Sequence, residues 1–196
     1  MGTRNLTLVQ LGGKYRIAQY GQWDGYPERA GHTVLLFLRN WDRDKFVKNL
    51  GRTRFLTEEE AAEISKKWRE GEQPAEHIRR DMGAGVLQYI HDLPVDGAEI
   101  LLVDNADFAA DGLFCEWAYV LDLDTNKLEV YRGGKTPPEP GERFAHLKSR
   151  DAAPGNPEYY PARKVAEWSI AELPETKVFC ETCYNDSAYE YTGPVG

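Results

Sequence analysis

The stretch Thr3-Arg4-Asn5-Leu6-Thr7-Leu8-Val9, the pair Gly12-Gly13 and the run Tyr15-Arg16-Ile17-Ala18-Gln19-Tyr20 decide how the chain is read. In the first run Thr3, Asn5 and Thr7 alternate with Leu6 and Leu8, the period of two expected of a strand. Two glycines between two such runs are a strong signal for the tight turn of a β-hairpin. Directly after the returning strand, Gly21-Gln22-Trp23-Asp24-Gly25-Tyr26-Pro27 reads as a loop, because glycine and proline punctuate it. The apolar run Thr33-Val34-Leu35-Leu36-Phe37-Leu38 then opens a buried helix reaching about Trp41.

β patterning returns later in the chain. Ile100-Leu101-Leu102-Val103 is a short apolar strand. Glu116-Trp117-Ala118-Tyr119-Val120-Leu121-Asp122-Leu123, the turn Asp124-Thr125-Asn126 and Leu128-Glu129-Val130-Tyr131 form a second hairpin. Lys164-Val165-Ala166-Glu167-Trp168-Ser169-Ile170 alternates as a late edge strand, and residues 133–141 and 151–161 are loops rich in proline and glycine. Between the hairpins the chain is helical. Thr57-Glu58-Glu59-Glu60 is a capping box, and Ala61, Ala62, Ile64, Ser65 and Trp68 recur at helical spacing up to about Arg69, with Gly71 as the stop. Short helices are expected at residues 74–81 and 86–90. The expectation is one α+β domain over residues 1–174, with antiparallel hairpins in packed sheet layers and flanking helices. A polar C-terminal tail over residues 175–196 carries a lone Cys180-Glu181-Thr182-Cys183.

Composition narrows the function classes. A chain of 196 residues is the size of one domain. Hydrophobic residues at 41% and aromatics at 12% supply a core. Against 24 Lys+Arg stand 32 Asp+Glu, a formal net charge of −8 with pI near 5.1, which speaks against a nucleic-acid binder. No apolar run reaches the roughly 18–20 residues of a membrane span. The start lacks the apolar run of a secretory signal, and three cysteines cannot all pair within the chain. The expectation is a cytoplasmic protein with a small molecule or a host protein as partner and no membrane or nucleic-acid partner.

Most motif-like features have a plain explanation. A structural zinc site takes about four ligands, so the lone CxxC reads as two ordinary thiols, and neither metal nor cofactor is expected. Asp122-Leu123-Asp124-Thr125-Asn126 imitates a calcium loop, but Lys127 stands where the turn glycine belongs and Gly133 where the bidentate glutamate belongs. Glu58, Glu59 and Glu60 suit the first turn of a helix. Arg79-Arg80 and Arg52 with Arg54 are small basic spots that could hold a phosphate, but scattered solvated charge is the simpler account. Gly12-Gly13 and Gly83-Ala84-Gly85 lack the spacing of a nucleotide fingerprint, and no serine sits in a Gly-x-Ser-x-Gly elbow. The loop after the first hairpin is the candidate site, since strand-end loops commonly present ligand-contacting groups. Gln19, Gln22, Trp23, Asp24 and Tyr26 are its candidate ligand-binding residues. The competing reading is a structural corner whose aromatics seal the hairpin against the first helix.

Two of these stretches carry a family resemblance. Gly2-Thr3-Arg4-Asn5-Leu6 with the run from Arg16 to Pro27, and Cys115-Glu116-Trp117-Ala118-Tyr119-Val120-Leu121-Asp122-Leu123 with Leu128-Glu129-Val130-Tyr131, resemble the signatures of an uncharacterised family found in bacteriophages, bacteria and fungi. The resemblance implies membership and brings no activity; a phage-borne protein acting on a host pathway is one expectation. Cys115 and Glu116, at the head of the second signature, join the candidate ligand-binding set. More distantly, the N-terminus is similar to that of N-terminal nucleophile hydrolases, whose first residue supplies both the nucleophile and, through its amine, the base. That resemblance implies a nucleophile-hydrolase-like sandwich, either one that keeps a pocket without the chemistry or an amidohydrolase with Thr3 as nucleophile, Asp24 or Arg4 orienting the amine, and Asn105 or a loop amide as oxyanion donor. The chain departs from that pattern, since removal of Met1 exposes Gly2 and only further processing frees Thr3.

Overall fold

A computed structural model describes residues 2–73, 75, 78–150 and 159–185. Strands β1 (Asn5–Gln10) and β2 (Tyr15–Gly21) form the opening antiparallel hairpin, with Leu8 opposite Ala18. At its tip Gly12 and Gly13 have φ of 67° and 69°, the positive values a type I′ turn asks of both central residues. The Asp124 carboxylate accepts hydrogen bonds from the Gly12 and Gly13 amides at 2.7 and 2.8 Å. Asp124 lies in the turn between β5 (Trp117–Asp122) and β6 (Lys127–Gly134), so one hairpin tip holds the other. In the same turn Asp122 accepts from the Asp124 and Thr125 amides at 3.0 Å. These aspartates serve turns, as side chains that mimic backbone acceptors do.

β1 also pairs in parallel with β5, Leu8 beside Val120, and β6 continues antiparallel to β7 (Tyr160–Ser169), the edge strand. The result is one five-stranded mixed sheet in the order β2-β1-β5-β6-β7. A separate two-stranded sheet pairs β3 (Thr53–Phe55) with β4 (Ile100–Leu102) in parallel. The α+β class holds. The hairpins, however, lie side by side in one sheet instead of forming packed layers, because the parallel β1–β5 pair joins them edge to edge.

Helices α1 (His32–Asn40), α2 (Arg43–Leu50), α4 (Gly85–Asp92) and α5 (Thr176–Tyr184) contribute to the apolar cluster on one sheet face. There Val9, Ile17, Tyr119 and Val130 meet Leu35, Phe46, Leu87 and Phe179. On the other face Leu6, Leu8, Val120 and Tyr131 meet Ala109 from the 3-10 turn Ala106–Ala110, together with Phe144 and Ala162. With both faces covered, β1 has no wet side: Asn5 and Thr7, the polar half of its alternation, are buried too.

Three other expectations are refined. α3 (Glu58–Arg69) has its capping box at Thr57 and Glu60, yet none of its residues is buried. Of the short helix expected at residues 74–81, residues 74, 76 and 77 lie outside the described set, and residues 79–81 form bends and turns. The tail expected over residues 175–196 contains α5, with Cys180 and Cys183 on it. Phe179 and Cys183, one helical turn apart, are buried in the core, and the Phe179 ring lies 4.9 Å from that of Trp168. Residues 186–196 lie outside the described set, as do residues 151–158 of the expected loop.

Candidate functional site

The loop after β2 is a corner in its backbone. The Gly25 amide donates to the Thr3 carbonyl at 2.9 Å, and the Tyr119 hydroxyl donates to the Gly25 carbonyl at 2.8 Å. Asp24 takes a φ of 53°, and its carbonyl accepts from the Ala30 amide at 3.0 Å. Tyr26 leads into the π-helical turn Pro27–Gly31, its carbonyl accepting from the Arg29 amide at 2.9 Å. With the backbone fixed in this way, the side chains of Gln22, Trp23 and Asp24 are left to line clefts. The Trp23 indole is 58% exposed and lies over Gly2, where a Cβ would come within 2.0 Å of its ring.

The larger cleft has a volume of about 790 Å³, within the roughly 300–1,000 Å³ usual for small-molecule sites. One wall is the end of β2 and its loop: Gln19, Tyr20, Gln22 and Trp23. Another is the apolar stripe of α3, where Ala61, Ile64 and Trp68 line the cleft instead of the core, and Trp68 is 52% exposed. Arg79, Arg80 and Asp81, the residues Asp104, Asn105, Asp107 and Phe108, and Arg150 also line it.

Side-chain amides set the geometry of that cleft. The Gln19 amide donates to the Tyr20 carbonyl at 2.9 Å and the Arg79 carbonyl at 3.1 Å, and the Gln22 backbone amide donates to the Arg80 carbonyl at 2.8 Å. The arginine segment is thereby tied to the strand. The Tyr20 hydroxyl donates to Gln22 Oε1 at 2.7 Å, and its ring meets Phe108 edge-on at 4.9 Å. Burial pushes the Tyr20 hydroxyl above its ordinary pKa. Asn105 is held by two bonds to the Ala18 carbonyl, from its backbone amide at 3.1 Å and its side-chain amide at 3.2 Å.

Of the residues singled out in the sequence, Gln19, Gln22, Trp23 and Asn105 line this larger cleft, and Trp23 with Asp24 lines a smaller one of about 380 Å³. Thr3, Arg4, Tyr26, Cys115 and Glu116 line neither. Thr3 is buried. The Arg4 amide donates to Glu116 Oε1 at 3.3 Å, its guanidinium lies 4.3 Å from the Phe114 ring centroid, and burial raises the Glu116 carboxyl pKa. Cys115 is fully buried, and burial pushes its thiol pKa well up. Thr3, Arg4, Asp24 and Asn105 thus share no cleft among those described. Trp68, Arg79, Arg80 and Phe108 are among the lining residues that sequence reading did not place in the candidate site. Their one available signal was an apolar helical stripe followed closely by an arginine pair.

Among the described residues no three His, Cys, Asp or Glu side chains are placed to share a metal ion, and no helix is long and apolar enough to cross a membrane. Comparison with known proteins gives no match among family models, curated proteins or solved structures.

Proposed function

We propose that the protein binds a flat heteroaromatic small molecule in the larger cleft. The observation that carries this reading is the lining itself. Two half-exposed indoles, Trp23 and Trp68, stand with Tyr20 and Phe108 beside the amides of Gln19, Gln22 and Asn105. Aromatic faces stack planar rings, and side-chain amides both donate to and accept from the edges of heterocycles. The three guanidiniums and three aspartates of the lining extend that mixed donor and acceptor character. A site of uniform sign would instead favour a simple ion.

Adenosine and guanosine serve as probes in a titration followed by tryptophan fluorescence. A saturable change is expected with at least one nucleoside. Trp68→Ala should weaken it about tenfold or more, since stacking on one aromatic side chain contributes roughly 1–3 kcal/mol. The melting temperature should hardly move, because Trp68 lies outside the core. Absence of saturation with either nucleoside, or a Trp68→Ala protein that binds as the parent does, would remove the proposal.

A further inference from the structure

Asn5 is a polar residue buried to 1% exposure at the start of β1, and its side chain is only half satisfied. Its amide nitrogen donates to the Trp23 carbonyl at 3.1 Å and, at 3.5 Å, to the Gly21 carbonyl. Both neighbours are acceptors, so the amide orientation is fixed by chemistry. Its oxygen, Oδ1, is left with no partner. A buried acceptor without a donor is costly, and such a group in a native fold calls for a specific cause.

Asn5 lines the smaller cleft. Glycines surround the amide: a Cβ on Gly21 would come within 2.6 Å of it, and one on Gly83 would stand 3.6 Å from Oδ1. Gly83 takes a φ of 48° and leads into α4. Gly83 thus places no side chain against Oδ1.

The rest of the lining sets the sign of what enters. Asp24, Glu28 and Asp81 bring three carboxylates against the Arg29 guanidinium and the His32 imidazole. The Tyr184 hydroxyl donates to Glu28 at 2.8 Å, while the side-chain carboxylates of Asp24 and Asp81 have no hydrogen-bond or ion-pair partner among the described residues. The start of α4 does not reverse that sign. Its Gly85, Val86 and Leu87 amides already donate to the Met82, Gly83 and Ala84 carbonyls at 3.0, 3.3 and 3.2 Å, so they are not free for an anion. Asp24 holds a left-handed backbone conformation, a strain that concentrates at binding sites. Trp23 adds an aromatic face, which attracts cations.

We propose that the smaller cleft is a site for a primary ammonium group, with Asn5 Oδ1 as its buried acceptor and Asp24 and Asp81 as its counter-charges. An ammonium carries three N–H donors and one positive charge, which answers the orphaned oxygen and the unpaired carboxylates together. The site is separate from the heteroaromatic cleft, although both are lined by Trp23 and Asp81.

The test uses the full chain, isotopically labelled, titrated with n-propylammonium chloride and separately with tetramethylammonium chloride at constant ionic strength. The second cation has the same charge and no N–H. Propylammonium should give saturable shifts of the Asn5 side-chain amide and the Gly83 backbone amide, and tetramethylammonium should leave the Asn5 amide in place. Asp24→Asn with Asp81→Asn should weaken propylammonium binding about tenfold or more. Asparagine accepts the left-handed backbone at position 24, so the corner is kept. Lack of saturation, an equal response to both cations, or undiminished binding in the double variant would each overturn the proposal. Trp68→Ala, which alters only the larger cleft, should leave these shifts unchanged.

Discussion

The Arg143 guanidinium reaches two carboxylates on the sheet: its Nη2 lies 2.7 Å from Asp122 Oδ2, and its Nε lies 2.7 Å from Glu129 Oε2. The same Glu129 oxygen accepts from the Tyr131 hydroxyl at 2.8 Å, and the Gln10 side-chain oxygen accepts from Arg143. The side chains of Arg143, Asp122 and Glu129 are 14%, 5% and 11% exposed. Burial alone would raise the Asp122 carboxyl pKa, but the Thr125 amide and the Arg143 guanidinium bring it below its ordinary value. A cluster of this kind gains little over well-packed apolar side chains, whereas breaking it strands charge in the interior. Arg143→Leu should therefore cost roughly 3–5 kcal/mol, a large share of the 5–15 kcal/mol typical of a domain. Adding Asp122→Asn and Glu129→Gln to that variant should recover part of the loss. Urea unfolding of the variants checks both expectations. A near-neutral Arg143→Leu would show that water already screens the cluster.

At the scale of elements, α3 is the clearest case of local order without core burial. Thr57 Oγ1 accepts from the Glu60 amide at 3.3 Å, and Glu60 Oε2 accepts from the Thr57 amide at 2.9 Å. Arg54 adds two bonds to the Glu60 carboxylate at 2.7 and 2.8 Å. Because no α3 residue is buried, losing the cap should open the helix without unfolding the sheet. Thr57→Ala should cost about 1 kcal/mol and speed hydrogen exchange in α3 about fivefold, leaving β1 and β5 amides unchanged. Uniform acceleration across the molecule would show that α3 opens only with the global unfolding. The cap was legible in the sequence because its residues lie three apart and act on each other. The destination of the helix's apolar stripe was not, since periodicity says which face is apolar and not what stands opposite it. The same limit hid the β1–β5 pairing, whose partners are far apart in the chain, and with it the burial of Asn5 and Thr7. α5 was missed because Phe179 and Cys183 make only a short apolar stripe among polar neighbours. In the site, Gln19, Gln22 and Trp23 were legible from their place at a strand end. Arg79 and Arg80 read as solvated charge in the sequence, because the bonds from Gln19 and Gln22 that tie their backbone to β2 join residues far apart in the chain.

At the scale of the whole molecule, the covering of both sheet faces fixes the pH response. Tyr119, Tyr131, Cys115 and Cys183 are all buried. Burial raises the pKa of each, and the neighbouring Glu129 carboxylate raises Tyr131 further. In the unfolded chain thiols titrate near about 8.5 and phenols near about 10. Above those values the unfolded chain loses protons that the native state keeps, so stability must fall as pH rises. Each such group contributes a slope of up to roughly 1.4 kcal/mol per pH unit. At the acid end the sign reverses. Hydrogen bonds from Arg54 bring the Glu60 carboxyl down to about 2, and amides of Gly13 and Gly12 lower Asp124. Their contribution is present above about pH 4 and is lost as pH falls through the native values. Glu116, raised by burial, opposes them with a single group. Stability should therefore be greatest between about pH 5 and 8 and decline in two stages on the alkaline side, thiols first and phenols second. Urea unfolding measured in steps from neutral pH upward would resolve the stages. Replacing Cys115 and Cys183 with alanine should shrink the first stage to the share of Cys180, whose thiol pKa is also raised by burial, and leave the second. Stability that stays level beyond the ordinary phenol pKa would mean that these four groups meet water in the native state, and that one face of the sheet is open.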